Sequence, residues 1–185
     1  ADLTVTKTSD ANGVVFLGDD WTWTMTIKNV GDGPAVFAAG QSIFTDGLPN
    51  DVLDPQIAYS NTTVSNETNV SGAGHVQCDY DGAFDRLECT ASQGAVIIGA
   101  SPGSFRVAIT ATPQAIGFFT NPRAGSECEV DPGPGAALPG VVAESDEQNN
   151  TCSDTVEVRA PDLTATKTVS GVTVLGGSWL WNIDV

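Results

Sequence analysis

A strict alternation near the N-terminus constrains the fold of this chain most strongly. From Trp21 to Ile27, apolar side chains alternate with threonines, which is the period of a β-strand with one face in a core and the other in solvent. The same alternation recurs over residues 104–111 and at Val156 and Val158. Turns rich in Gly and Pro separate the runs, and the chain contains 20 Gly and 10 Pro residues. The pattern predicts an all-β protein, a sandwich of antiparallel sheets.

The chain contains an internal repeat. Residues 2–8 return as residues 162–168, and residues 17–23 return as residues 175–181, so the four tryptophans form two W-x-W pairs. We expect the first pair to lie in the core, and a sugar-stacking platform is the alternative. The repeat predicts one complete domain over residues 1–159 and the first two strands of a following domain over residues 160–185.

Two strands cannot bury their apolar face alone. The second copy is therefore predicted to be completed either by the continuing chain or by strand addition to a neighbouring subunit, and both alternatives stay open. The residues expected at this interdomain or assembly surface are Leu175, Trp179, Trp181 and Ile183.

Charge and cysteine content narrow the class further. The formal net charge of −16 excludes a nucleic-acid binder that works by phosphate neutralisation, and no apolar run reaches the roughly 18 residues of a membrane span. The four cysteines allow three pairings. We favour Cys78 with Cys89 and Cys128 with Cys152, because each pair brackets one loop. Two disulfides indicate an extracellular or cell-surface location.

Two acidic groups are candidate cation sites; we predict no cofactor, with calcium as the one candidate. Oxygen ligands of this kind suit calcium, while solvated turns are the alternative interpretation of both groups. The candidate ligands are Asp79, Asp81 and Asp85 in one group and Glu144, Asp146 and Glu147 in the other.

Four asparagines satisfy the N-x-[ST] pattern of glycosylation, namely Asn61, Asn66, Asn69 and Asn149. Three of them lie in a polar segment, residues 49–74, that we interpret as an exposed loop. Residues 99–103 match G-x-S-x-G, but a strand follows the motif and His75, the only histidine, precedes it. We therefore interpret the motif as a turn and predict that the chain is not an enzyme.

Several segments in combination resemble the DUF11 and CARDB-like repeats of bacterial and archaeal surface proteins. They are residues 1–8, 28–35, 44–49, 120–122, 128–132 and 144–150. The resemblance implies immunoglobulin-like sandwiches strung in tandem, which serve as stalks, spacers and adhesive or fibrous modules. It implies no catalytic residues.

These observations together predict a structural repeat unit of an extracellular stalk or filament. Its partners would be neighbouring repeats or subunits of the same protein, joined head to tail. One alternative is an adhesive ligand-binding module, specific for carbohydrate or dependent on calcium, and another is an accessory domain of a secreted enzyme.

Overall fold

The computed structural model describes residues 1–50, 56–133, 140–171 and 174–185. Within these ranges the chain forms sixteen β-strands and one short 3-10 turn at Ala73–His75. The strands are β1 Leu3–Ser9, β2 Val14–Phe16, β3 Trp21–Asn29, β4 Ala35–Phe37, β5 Ser42–Gly47, β6 Ile57–Thr68, β7 Val70–Ser71, β8 Val76–Asp81, β9 Arg86–Ala91, β10 Val96–Ile98, β11 Ser104–Pro113, β12 Gly117–Asn121, β13 Cys128–Val130, β14 Asp154–Arg159, β15 Thr166–Ser170 and β16 Leu180–Asp184.

Two four-stranded antiparallel sheets form the layers of the sandwich. We call β1–β3–β11–β6 the main sheet and β13–β5–β9–β8 the opposing sheet. Two smaller sheets, β12–β14–β2 and β4–β10–β7, accompany them. Strand β2 runs parallel to β14. The predicted fold class, an all-β immunoglobulin-like sandwich, is confirmed.

Strand β3 is central in the main sheet and shows why the alternation is so strict. It is paired with β1 on one side and β11 on the other, so one face of all three strands lies against the opposing sheet. Trp21, Trp23, Met25 and Ile27 are buried, as predicted, while the intervening threonines are partly exposed. The tryptophan rings contact each other edge to face, with centroids 5.1 Å apart.

The polar segment that we expected to be a loop is largely a strand. Residues 57–68 form β6, the edge strand of the main sheet. Its register against β11 shifts twice, and each shift adds one residue to β6, once at 61–62 and once at 66–67. Asn61 and Asn66 lie at these bulges with left-handed backbone (φ 52° and 54°), and Asn69 follows at φ 51°. Asparagine tolerates this conformation, and the bulges break the alternation that would have indicated a strand.

Strands β15 and β16 form a hairpin with the same register as β1 and β3. Lys7 is opposite Met25 in the first pair, and their repeat equivalents, Lys167 and Ile183, are opposite each other in the second. The repeat seen in the sequence is therefore also a repeat of strand pairing.

Burial of the inward face predicts unequal effects for two phenylalanines. Phe105 on β11 is fully buried, whereas Phe118 on β12 is 74% exposed. We expect Phe105→Ala to lower the free energy of unfolding by about 3–5 kcal/mol, because it removes buried area and leaves a cavity. The control Phe118→Ala should change it by less than about 0.5 kcal/mol. Urea denaturation measures both values, and similar losses for the two variants would contradict this assignment of the core.

Candidate functional site

The apolar face of the β15–β16 hairpin is the first candidate site. Trp23 is fully buried, but its repeat equivalent Trp181 is 50% exposed. The other predicted assembly residues, Leu175, Trp179 and Ile183, are exposed as well. Single exposed apolar residues are ordinary, but a contiguous apolar patch marks a surface for interaction. Trp181 and Ile183 lie on β16, whereas Leu175 and Trp179 lie in the segment before it, and their role in assembly stays a prediction.

The hairpin carries an ordering contact of its own. The Lys167 ammonium lies 4.1 Å from the centre of the Trp181 ring, a cation–π contact worth about 0.5–1 kcal/mol at an exposed site. This contact restrains the Trp181 side chain on the exposed hairpin.

The four cysteines form the two predicted disulfides. Cys78 of β8 is directly opposite Cys89 of β9 and bonded to it. Cys128 of β13 is bonded to Cys152, just before β14. Each bond closes one loop and removes unfolded-state entropy, a contribution of about 3 kcal/mol in the chain-entropy account. The bonds therefore strengthen the opposing sheet, whose remaining contacts are those of short strands.

The first acidic group lies on the β8–β9 hairpin, where its side chains satisfy the turn. Asp85 is buried, and its Oδ1 accepts hydrogen bonds from Asn50 Nδ2 (3.0 Å) and Tyr80 Oη (2.8 Å). Asp81 Oδ1 accepts the Ala83 backbone N–H at 2.9 Å. Asp79 is exposed and accepts a hydrogen bond from a glutamine on its own strand.

The second acidic group lies on the loop before β14. Glu144 accepts the Leu3 backbone N–H and, more weakly, the Asn150 amide at 3.4 Å. Asn150 also donates to Glu147 at 3.2 Å, and Asp146 caps the local turn through Gln148 N–H at 2.9 Å. Among the residues that the structure describes, no group of three or more His, Cys, Asp or Glu side chains is placed to hold a metal ion. Calcium at either group stays a prediction.

Crowding of carboxyl groups shifts protonation on this side of the module. Burial, with Glu147 and Asp131 close by, raises the pKa of Glu144 to about 7. Burial, with Glu127 and Asp131 close by, raises the pKa of Glu129 to about 7 as well. Both carboxyls therefore bind their protons more tightly in the folded chain than in the unfolded one.

These pKa values predict a stability that falls as the pH rises. Between the ordinary carboxyl pKa of about 4.3 and the folded value of about 7, the native state holds more protons than the unfolded state. The free energy of unfolding should therefore decrease over this window. Glu144→Gln should reduce the slope, whereas Glu67→Gln on exposed β6 serves as the charge-matched control. Denaturant titrations from pH 4.5 to 7.5 measure the profile, and a stability that rises through this window would contradict the assignment.

The four candidate glycosylation sites are not equivalent. Asn61, Asn66 and Asn69 are exposed on the edge of the main sheet, but Asn69 Nδ2 donates to Ala100 O at 2.9 Å. Asn149 is half-buried and donates to Asp2 Oδ1 at 2.8 Å. The amide nitrogens of Asn69 and Asn149 are thus engaged within the fold. Glycosylation stays a prediction, with Asn61 and Asn66 the better-placed acceptors.

A buried polar cluster was not predicted from the sequence. Lys7 of β1 and Asp46 of β5 form an ion pair of 2.8 Å with both side chains fully buried. Asn121, the last residue of β12, is also buried, and its Nδ2 donates to Asp46 Oδ2 at 3.1 Å. A signal was present in the sequence. The alternation that turns Leu3 and Val5 inward also turns Lys7 inward, and an inward lysine needs a buried partner.

No helix in the described part of the chain is long and apolar enough to cross a membrane. No family model matches the chain, and no curated protein matches it in sequence. The resemblance to DUF11 and CARDB-like repeats is therefore not confirmed and stays a prediction.

Three solved structures of bacterial modules have a similar arrangement. A cohesin module from a Clostridium perfringens family 33 glycoside hydrolase is 13% identical, with 85% of this chain and 98% of that chain covered and a TM-score of 0.48. The C-terminal domain of an antigen I/II-family protein of Streptococcus pyogenes is 12% identical, with 85% and 47% covered and a TM-score of 0.47. A type II cohesin domain from the cellulosome of Acetivibrio cellulolyticus is 10% identical, with 84% and 95% covered and a TM-score of 0.40. At this level of similarity the three structures assign no function to the chain.

Proposed function

We propose that this chain is a structural repeat unit of an extracellular stalk or filament, built from β-sandwich modules joined head to tail. The observation that carries the proposal is the hairpin of β15 and β16, which repeats the register of β1 and β3 but leaves its apolar face exposed. A strand pair of this kind is half of a sheet whose remaining strands and opposing layer come from elsewhere.

The short connection between the two copies supports a fixed orientation of one module relative to the next. Only a few residues, Ala160 to Ala165, separate β14 from β15, and Pro161 is among them. A short segment with a proline restricts the directions that the following strands can take. Consecutive modules would therefore keep a regular angle, as a stalk requires.

The two disulfides support an extracellular setting. They persist where the environment is oxidising and are rare in a reducing cytosol. They also limit unfolding of the opposing sheet, to which both are attached.

Completion of the hairpin by a neighbouring subunit predicts concentration-dependent association of the full chain. Sedimentation velocity over a range of concentrations should show oligomers for the wild type and monomers for a Trp181→Ser, Ile183→Ser double variant. Phe118→Ser is the control, because it removes an aromatic side chain on β12 that is even more exposed than Trp181 and Ile183. It should associate like the wild type.

A wild type that stays monomeric at every concentration would rule out completion by a separate subunit and leave completion within one chain. The filament itself is tested by electron microscopy of native surface material labelled with an antibody against residues 1–159. Regularly spaced label along fibres is the expected result, and label that is confined to dispersed particles would contradict the proposal.

A cleft on the opposing sheet favours a second candidate function, that of an adhesive module for a small polar ligand such as a carbohydrate. The cleft has a volume of about 470 Å³ and is lined by Thr45, Arg86, Glu88, Arg123 and Ser126, among others. Arg86 and Glu88 form an exposed ion pair of 2.8 Å there. Charged donors and acceptors beside hydroxyl groups can bind sugar hydroxyls by directed hydrogen bonds.

Glycan-array binding with and without calcium tests the adhesive function. We expect a glycan signal that Arg86→Ala abolishes, because this substitution removes a donor from the cleft. Arg106→Ala, on the exposed face of β11, is the control and should bind like the wild type. Absence of any glycan signal, together with an unchanged melting temperature on calcium titration, would dispose of this alternative.

A further inference from the structure

The buried cluster of Lys7, Asp46 and Asn121 joins three sheets at one point. Lys7 comes from the main sheet, Asp46 from the opposing sheet and Asn121 from the β12–β14–β2 sheet. Lys7 Nζ donates to Asp46 Oδ1 at 2.8 Å, and Asn121 Nδ2 donates to Asp46 Oδ2 at 3.1 Å. The two oxygens belong to one carboxyl group, so the lysine amine and the asparagine carboxamide are held side by side.

Stability alone gives a poor account of this arrangement. Removing two charges from water costs more than their attraction returns in many buried pairs, and apolar side chains of similar volume often replace such pairs without loss. In addition, Asn121 Oδ1 is buried and has no hydrogen-bond partner among the described residues. A buried carbonyl oxygen without a partner is destabilising, so one hydrogen-bonding group of the carboxamide is left unsatisfied.

Burial shifts both ionisable groups toward their neutral forms. Burial lowers the pKa of the Lys7 amine to about 8, despite the attraction of Asp46. Burial likewise raises the pKa of Asp46. A neutral amine is a nucleophile, and a protonated carboxyl group beside it is a general acid.

We propose that Lys7 and Asn121 are joined by an intramolecular amide bond and that Asp46 transfers the protons as it forms. The Lys7 Nζ lone pair attacks Cγ of Asn121, and a new C–N bond forms. The Asp46 carboxyl group gives its proton to the departing amide nitrogen and accepts a proton from Nζ. The bond from Cγ to Nδ2 breaks, and one molecule of ammonia leaves. No oxidant, metal or further reactant is needed, because one amide replaces another.

The surroundings protect both the reaction and its product. All three side chains are fully buried, so water does not compete with the amine for Cγ and does not hydrolyse the new bond. The bond would tie the first strand of the module to β12, close to its last strand. A pull on the two ends of the module would then be carried through this covalent bond instead of through the hydrogen bonds between strands.

The repeat supplies an internal control. Lys167 is equivalent to Lys7 but is exposed over Trp181, so the proposal predicts that its amine stays free in this chain. The inference does not depend on the proposed stalk function, since it rests on the cluster within residues 1–159 alone.

Intact mass spectrometry of the denatured full chain tests the proposal. We expect a mass lower by one ammonia than that of the disulfide-bonded sequence. After reduction and tryptic digestion, tandem spectra should show the peptide containing Lys7 joined to the peptide containing Asn121, and they should show Lys167 unmodified. A full unmodified mass would overturn the proposal. Loss of one water with a Lys7–Asp46 link, or loss of ammonia located at Asn12 before Gly13, would overturn it too.

Single substitutions test which residues form the amide bond. Lys7→Met, Asn121→Ala and Asp46→Ala should each restore the unmodified mass, whereas Lys28→Met, at an exposed position of β3, should keep the loss of ammonia. Retention of the loss in Lys7→Met would overturn the assignment. If a variant fails to fold, the mass and the linked peptide of the wild type still decide the question.

Discussion

The inward face of β3 joins the main sheet to the β12–β14–β2 sheet. The two tryptophans of that face contact each other, and Trp21 reaches Phe119 of β12 with ring centroids 6.4 Å apart. Trp23 Nε1 donates to Asp154 Oδ2 of β14 at 3.0 Å, so the main sheet is attached to the last strand of the module by a directed bond as well as by apolar contact. Large aromatic side chains bury much area and fix orientation at once. A strand with a W-x-W pair therefore needs a second layer to bury that pair. The W-x-W pair of the hairpin is exposed and is not buried in this way.

Local chemistry decided how much of this structure could be predicted from the sequence. Alternation located β3, β11 and β14, because each has one strictly apolar face, and the cysteine spacing indicated both disulfides, because each pair closes one local loop. Strand β6 was missed because its bulges at Asn61 and Asn66 shift the inward positions. The parallel pairing of β2 with β14 is non-local and has no sequence signature. The Lys7 cluster was missed because the inward position of Lys7 indicates a buried partner but does not say which residue it is, and only the tertiary structure brings Asp46 and Asn121 together with it.

The carboxyl groups that give the chain its negative charge lie in two different kinds of environment. Carboxyl groups on the turns of the β8–β9 hairpin accept hydrogen bonds from neighbouring side chains and backbone, as Asp81 and Asp85 show. On the side of the second disulfide, Glu129 and Glu144 are crowded and partly buried instead. The net charge of −16 makes copies of the chain repel one another at long range. One side of the module, in contrast, has its ionisation coupled to its folding.

The left-handed asparagines of β6 have a consequence for how such modules tolerate crowding. A regular edge strand presents an unbroken row of N–H and C=O groups on which a foreign strand can pair. In β6 this row is interrupted at Asn61 and Asn66, so a twelve-residue edge does not act as a twelve-residue template. Modules held at high local density can then lie side by side without merging their main sheets into one, and ordered growth through β-pairing is disfavoured along this edge. In the proposed stalk, the edge strand would oppose aggregation while the hairpin would provide the surface for assembly.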